Sequence, residues 1–451
     1  MSSESIRNSI LTVGFGVICC LFYYWGWSTE ISSFGGDSAG YMMAAQYYSP
    51  YQPPSTVIEK YSQHIIYPPL FPWLLAVTSG GTDILAAHLM VITFLLAAFI
   101  ALYHWLCNES FSPTLAATIT VLFAVMPSTR YISMSIWTEN IYLFFSLASV
   151  WAISQANRDL DIRFWCLAAL AIAGATLIRV AALPLLTAFG IYLLIKRPSH
   201  WIWIGIVTSM PILSWLVLGS RGQTGITGYT DVWQQRYSTD SMTFLLNKFL
   251  EQIELLNRTW VTAWLGSNNS ASLGLIAQIF GILSICGFIN RLANKNFDAI
   301  YVLVYLCVLL AWHSSGEVNR YAYVIYPFTI VYGYLGALKI FSFMSRSRKT
   351  PRIISITLTS LLLLTLIPAF LIDSKLRMMK LPTEVETARQ TDFWYSLEDR
   401  ALAFYTIYNQ AKLIEHFKSV NRLVPESDCI YAIKPTVITF YQTNSHHILH
   451  R

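Results

Sequence analysis

The sequence predicts an all-α polytopic membrane protein, and three observations carry that expectation. Of 451 residues, 55% are hydrophobic and only 12% charged, whereas a soluble domain carries about 25% charged residues. Aromatic residues make up 15%, a share that suits a chain with Trp and Tyr at lipid headgroup level. Uncharged runs long enough to cross a bilayer recur along most of the chain. A soluble protein must cover its surface with charge, whereas lipid accepts Leu, Phe and Trp as an outer surface.

About 20 apolar residues cross a ~30 Å hydrocarbon core as a helix. Stretches free of Asp, Glu, Lys and Arg fall near 8–29, 84–108, 110–129, 140–157, 164–178, 180–195, 198–220, 259–290, 299–316, 321–338 and 353–372. These predict about eleven transmembrane helices. The first run follows a single basic residue, Arg7, and no small-residue cleavage pattern follows it, so it is expected to be a retained span. The pair 164–178 and 180–195 is separated only by Arg179 and reads either as one long helix or as a hairpin with Arg179 at its tip. With a hairpin, the basic loops at 196–200, 291–295 and 346–352 share the side of Arg7. The positive-inside rule therefore favours the hairpin, a cytoplasmic amino terminus and a carboxyl tail outside.

This topology divides the chain into a membrane domain, 1–372, and an extracytoplasmic tail, 373–451. In the tail, "CIYAIK" and "VITFYQ" alternate with a period of two, which predicts a small α/β unit. Four pieces are expected on the extracytoplasmic face: a loop at 30–66 with interfacial helices, the tip at Arg179, a long loop from about 221 to 258, and "HSSGEVNRY" at 313–321. Seven cysteines without CxxC spacing suggest neither a disulfide framework nor a zinc site. The net charge of +6 is assigned to cytoplasmic loops, and no nucleic-acid partner is expected.

The first outer loop contains "GGDSAGYMMAAQYYSPYQPP" and then "HIIYPPLFPWLL". The prolines of "PPLFPW" keep a regular helix from starting at Pro68 and favour a short interfacial helix. Asp37 follows glycines that permit tight turns, and Tyr41, Ala44 and Ala45 follow it at helical spacing, so it stands at the start of a short helix. An N-cap alone would explain that position. Its company points further: Arg179 and Arg320 at span ends, with His64 and Tyr67 on the same face. Arg at a span end often snorkels to headgroups, yet its fork also matches a phosphate. A carboxylate beside a bound sugar phosphate can take a proton from an attacking hydroxyl or amine.

Those stretches, with "PSTRYISMSIWTENIYLFFSLAS", "GATLIRVAALPLL" and "RYAYVIYPFTIVYGYLGAL", resemble the integral-membrane glycosyltransferases of the GT-C fold. The branch most resembled is family 39, which includes protein O-mannosyltransferases, the aminoarabinose transferase acting on lipid A, and many bacterial relatives. The resemblance covers 8–372. It implies a transferase taking a sugar from a polyprenyl- or dolichyl-phosphate-linked donor, with inversion expected, at the extracytoplasmic face of a membrane, expected to be a bacterial inner membrane. The family's outer-loop Asp, a base or acceptor-positioning group, maps onto Asp37. Its basic residues near the donor phosphate resemble Arg179 and Arg320, with Tyr321 beside them. Tyr67 stands where several relatives carry Lys, and Ser38 where protein mannosyltransferases carry Glu. Tyr41, His64, Tyr67 and Glu139 are the expected pocket residues, with hydrogen bonding between spans favoured over substrate contact as the role of Glu139. No cofactor is expected and the reaction is read as metal-independent, although a divalent ion is compatible with it. The expected partners are the lipid-linked donor, a lipid, glycan or protein acceptor, and membrane lipids.

Other signals carry less. "DLD" at 159–161 has the DxD form of nucleotide-sugar sites but is expected on the cytoplasmic side. His446, His447 and His450 lack helical ligand spacing, and no Walker loop appears. A lipid-linked oligosaccharide flippase would place polar groups along span interiors and often repeat internally. A polysaccharide polymerase would lean on Arg-rich outer loops. Both fit less well than the transferase.

Overall fold

The computed structural model describes residues 3–27, 36–62, 67–219, 242–266, 271–311, 318–344 and 354–367. Every element among them is helical: α1 Ser3–Trp25, α2 Gly36–Tyr48, α3 Thr56–Ser62, α4 Leu70–Ser79, α5 Ile84–Asn108, α6 Pro113–Val125, α7 Pro127–Ser133, α8 Glu139–Asp159, α9 Ile162–Ile178, α10 Leu183–Lys196, α11 Trp201–Gly219, α12 Met242–Leu265, α13 Ala271–Ala293, α14 Phe297–Ala311, α15 Val318–Ala322, α16 Tyr326–Met344 and α17 Ile354–Ile367. His64 and the α/β tail expected at 373–451 lie outside the described residues.

Three helical segments, Ile84–Asn108, Ser272–Ala293 and Val318–Phe341, are long and apolar enough to cross a membrane. The bent pair α6 and α7 makes a fourth when taken as one span, with a bend of 64°. The bend has a local cause. Pro127 opens α7 and holds Met126 at φ −59°, ψ 134°, because a residue before proline is pushed out of the helical region.

The Arg179 question is settled by side chains far apart in sequence. Trp165, at the start of α9, has its ring 6.4 Å from Phe189 and 6.3 Å from Tyr192 near the end of α10. In one continuous helix, residues 165 and 192 would stand about 40 Å apart at ~1.5 Å per residue. The two helices therefore form a hairpin, and Arg179 at its tip is extended (φ −159°, ψ 147°).

Two expectations are corrected. The run 259–290 is not one helix. It falls across the end of α12 and most of α13, with a break at Gly266, whose φ of +58° suits a residue without Cβ. The expected loop at 221–258 holds α12 from Met242 onward. Its charges, Lys248, Glu251, Glu254 and Arg258, hide it from a search for charge-free runs.

Packing is closest where glycines let backbones meet. A Cβ on Gly287 of α13 would stand 1.9 Å from the Tyr332 carbonyl oxygen of α16, and one on Gly336 would stand 2.0 Å from that of Leu283. The bundle's two ends are marked by separate buried polar clusters. One holds Asp37, Glu139, Arg179 and Arg320. The other joins the end of α13 to the start of α14: Arg291 donates from Nε and Nη2 to both oxygens of Asp298 (2.7 and 2.6 Å) and from Nη1 to Glu109 (2.8 Å). Tyr332 donates to Asp298 at 2.9 Å and Ser154 to Glu109 at 2.8 Å.

Candidate functional site

Asp37 lies inside the first turn of α2, which begins at Gly36, rather than at the position before the helix. Negative charge is favoured there by the helix dipole, but the carboxylate is turned to another partner: Arg320 Nη1 donates to Asp37 Oδ2 at 2.5 Å. Helix α2 is held by α4 and by the turn after it. Gly81 there has φ +78°, and a Cβ on it would stand 2.5 Å from the Gln46 backbone nitrogen. Gln46 Nε2 donates to the Gly81 carbonyl at 3.1 Å.

Glu139 opens α8 and is 0% exposed. A carboxylate so placed needs charge partners, and it has two. Arg320 Nε donates to Glu139 Oε1. Arg179 Nη1 lies 2.9 Å from the same oxygen, an ionic contact whose N–H is not aligned as a hydrogen bond. The four groups form a line of alternating charge, Asp37, Arg320, Glu139, Arg179, of which Asp37 is the most exposed, at 37% of its side chain.

Aromatic rings flank the line. The Arg320 guanidinium stacks 4.4 Å from the Trp137 ring centre, and that of Arg179 lies 5.1 Å from Tyr321 and 5.7 Å from Tyr142. Such contacts hold a guanidinium in place while its charge is engaged elsewhere. Tyr305 donates to the Tyr321 carbonyl (3.0 Å), and the Tyr142 and Tyr301 hydroxyls pair at 2.8 Å. On the other side of Asp37, the Tyr41 ring lies 4.3 Å from Tyr67 and 4.8 Å from Phe71. Tyr61 donates to the Gly40 carbonyl at 3.3 Å. Burial, and after it the Asp37 charge, pushes the Tyr61 hydroxyl up to about 12 and raises Tyr41 for the same two leading reasons.

Of the residues singled out in the sequence, Asp37, Glu139, Arg179 and Arg320 form one connected line of contacts, Tyr321 flanks Arg179, and Tyr67 packs on Tyr41 of α2. The sequence reading missed Trp137, Tyr142 and Tyr305. Trp137 stands two residues before Glu139 in the quoted "WTEN" stretch, and that adjacency was the available signal. "DLD" stands at the opposite end of α8 from Glu139, and α8 is about 30 Å long by its residue count. Asp159 there accepts from Arg158 and Gln155, and Asp161 caps α9 by accepting from the Arg163 amide at 2.8 Å. Among the described residues, no three of His, Cys, Asp and Glu gather in metal-binding geometry.

No protein-family model and no curated protein matches the sequence. Solved structures do. The oligosaccharyltransferase AglB of the archaeon Archaeoglobus fulgidus, in complex with an inhibitory peptide and a dolichol-phosphate, aligns over 94% of this chain at 12% identity and a TM-score of 0.50. Its apo form gives the same values. The form tethered to an acceptor peptide containing the NVT sequon aligns over 97% at 11% identity and a TM-score of 0.51. The chain covers 59% of the length of each of these proteins. In fold, this chain is similar to an archaeal oligosaccharyltransferase, a membrane glycosyltransferase of the GT-C type.

Proposed function

We propose that the chain is a glycosyltransferase of the extracytoplasmic membrane face, moving a sugar from a polyprenyl-phosphate-linked donor to a lipid, glycan or protein acceptor. About eleven spans carry it, in the manner of the family-39 relatives and in a bacterial inner membrane. The observation that carries this reading is the charge line itself, in which a partly exposed carboxylate ends a row of two guanidinium groups. The dolichol-phosphate bound by the archaeal structure supports a lipid-phosphate donor.

The line suggests how charge moves. Asp37 accepts the proton of the acceptor hydroxyl or amine as that group's oxygen or nitrogen bonds to the sugar's anomeric carbon. The bond from that carbon to the phosphate oxygen breaks, with inversion, and the phosphate leaves with one more negative charge. Asp37 has meanwhile lost its charge, so Arg320 is released from one of its two carboxylates. Arg320 and Arg179, then sharing only Glu139, present a net positive charge to the leaving phosphate, with Tyr321 beside them. Tyr41 and Tyr67 border the acceptor side. The residues supply base and counter-charge without a metal, and a divalent ion is not part of this scheme.

The test is to offer the purified chain in lipid nanodiscs a panel of radiolabelled polyprenyl-phosphate sugars and nucleotide sugars, with lipid, glycan and peptide acceptors. Transfer from a polyprenyl-phosphate sugar, with none from nucleotide sugars, is the expected result. The reverse preference, or sugar-lipid translocation without transfer, contradicts it.

A further inference from the structure

Buried polar groups in this bundle are largely paired, and several of the exceptions lie on α12, on elements packed against it or, for Trp137, against Arg320 of the charge line. Ser128, Trp137, Gln252, Thr259 and Tyr326 are each more than nine-tenths buried. Their Oγ, Nε1, Oε1, Oγ1 and OH atoms, respectively, have no hydrogen-bond partner and are sealed from solvent. Ser128 is on α7, Trp137 precedes α8, and Tyr326 heads α16. Gln252 and Thr259 are both on α12, seven residues apart and hence on one face. Helix α12 packs on α7 and α15 as well as on α13 and α14, and its Trp260 ring lies 5.7 Å from Tyr326. Trp137 ties this region to the charge line through its stack on Arg320.

Thr259 shows that this is not ordinary helix chemistry. A threonine within a helix commonly returns its hydroxyl to the carbonyl four residues back. Thr93, Thr118, Thr208 and Thr329 do so here. Thr259 does not, although it is mid-helix and 3% exposed. An interface that strips water from several uncharged polar groups without pairing them is unfavourable as a permanent contact.

We infer that the surface beneath α12 is the subsite for an uncharged saccharide unit, with α12 seated on it as a lid that lifts when the sugar enters. Hydroxyl, amide, phenol and indole groups set among aromatic faces are what the hydroxyls and C–H faces of a pyranose take up. All five of these groups are uncharged, so the ligand portion that meets them is the sugar and not its phosphate. This rests on the glycosyltransferase reading above and adds the place where the sugar is held. Donor sugar and acceptor glycan share this chemistry, and the test separates them.

The test uses the full chain in nanodiscs and the double variant Gln252→Leu/Thr259→Val, which removes two unpaired groups at similar volume. Tm is expected to rise, because two desolvated polar groups are gone. KM is expected to rise about tenfold or more, the loss of a pair of hydrogen bonds at ~1.4 kcal/mol per decade, for whichever of donor or acceptor places its sugar there. Titrating each at saturation of the other identifies which. Binding of bare polyprenyl phosphate should not change. In the native chain, deuterium exchange of 242–265 should respond to the substrate whose KM the double variant raises, sugar-bearing donor or acceptor glycan, and not to bare polyprenyl phosphate. Unchanged KM for both substrates, or exchange that neither the sugar-bearing donor nor the acceptor glycan alters, overturns the subsite. If Asp37→Asn abolishes transfer while the double variant behaves as native, only the subsite falls; if the native chain transfers no sugar, both readings fall.

Discussion

Arg320 joins Asp37 across 283 positions of sequence, its Nη1 2.5 Å from the carboxylate oxygen Oδ2. One guanidinium thus ties helix α2 to the short helix α15, while its Nε engages Glu139 at the head of α8. Three parts of the chain meet at that side chain, and its removal should be felt in all three.

Arg320→Met leaves the fully buried Glu139 with Arg179 as its remaining cation. Loss of one partner from a buried ion pair costs about 3–5 kcal/mol, so a fall in Tm of several degrees is expected in detergent. Arg320→Lys should recover part of the stability but little of the activity, since an ammonium cannot address two carboxylates with a planar fork. Thermal unfolding and transfer rates, measured on the same preparations, check both halves.

Glu139→Gln keeps the shape and removes the charge that holds two guanidinium groups near each other. Arg179 and Arg320 are then expected to separate, lowering kcat more than it raises KM, because their joint position matters most as the phosphate leaves. Steady-state kinetics would show this split, and an effect confined to KM would place Glu139 in ground-state binding instead.

At the opposite end of the bundle, Arg291→Met strands Asp298, whose side chain is 3% exposed. Stability should fall by a similar ~3–5 kcal/mol, with kcat per folded molecule unchanged. Comparing the two arginine variants by active-site titration separates a clasp from a site.

Gly287→Ala and Gly336→Ala should each disturb the seam between α13 and α16, because the added carbon meets a backbone carbonyl at 1.9 or 2.0 Å and backbone cannot move aside as a flexible side chain can. A loss of folded protein on size-exclusion chromatography is expected for both, larger than for Gly190→Ala, where nothing lies within 4 Å.

Tyr61 offers a pH test. Its hydroxyl titrates near 12 in the fold, against an ordinary value of about 10. The folded state therefore favours the protonated form, and the stabilisation is complete below pH ~10 and lost as pH rises through 12. The stability difference between the native chain and Tyr61→Phe should change with pH only across that window and be constant on either side of it.

Much of this arrangement was legible in the sequence because charge is scarce in a membrane chain. Arg179 interrupts two uncharged runs, and the side of the basic loops was enough to indicate the hairpin that Trp165, Phe189 and Tyr192 display. Asp37 and Arg320 stood out for the same reason. Helix α12 was hidden by the same rule, since Glu251, Glu254 and Arg258 line the side away from its neighbours. Its apolar residues recur at helical spacing, a period the search for uncharged runs ignores. Arg291 stands in the sequence as part of a basic loop, and its pairing with Asp298 and Glu109 is a tertiary fact that no local pattern carries. His64 lies outside the described residues.

The central claim is that Asp37 takes the acceptor's proton as a lipid-linked sugar is transferred. The measurement that tests it most directly is the single-turnover rate of Asp37→Asn with a polyprenyl-phosphate sugar, on protein shown by its Tm to be folded. The account predicts a fall of about 10²–10⁴, the usual worth of a general base, with donor binding retained. Transfer by Asp37→Asn at the native rate would contradict it.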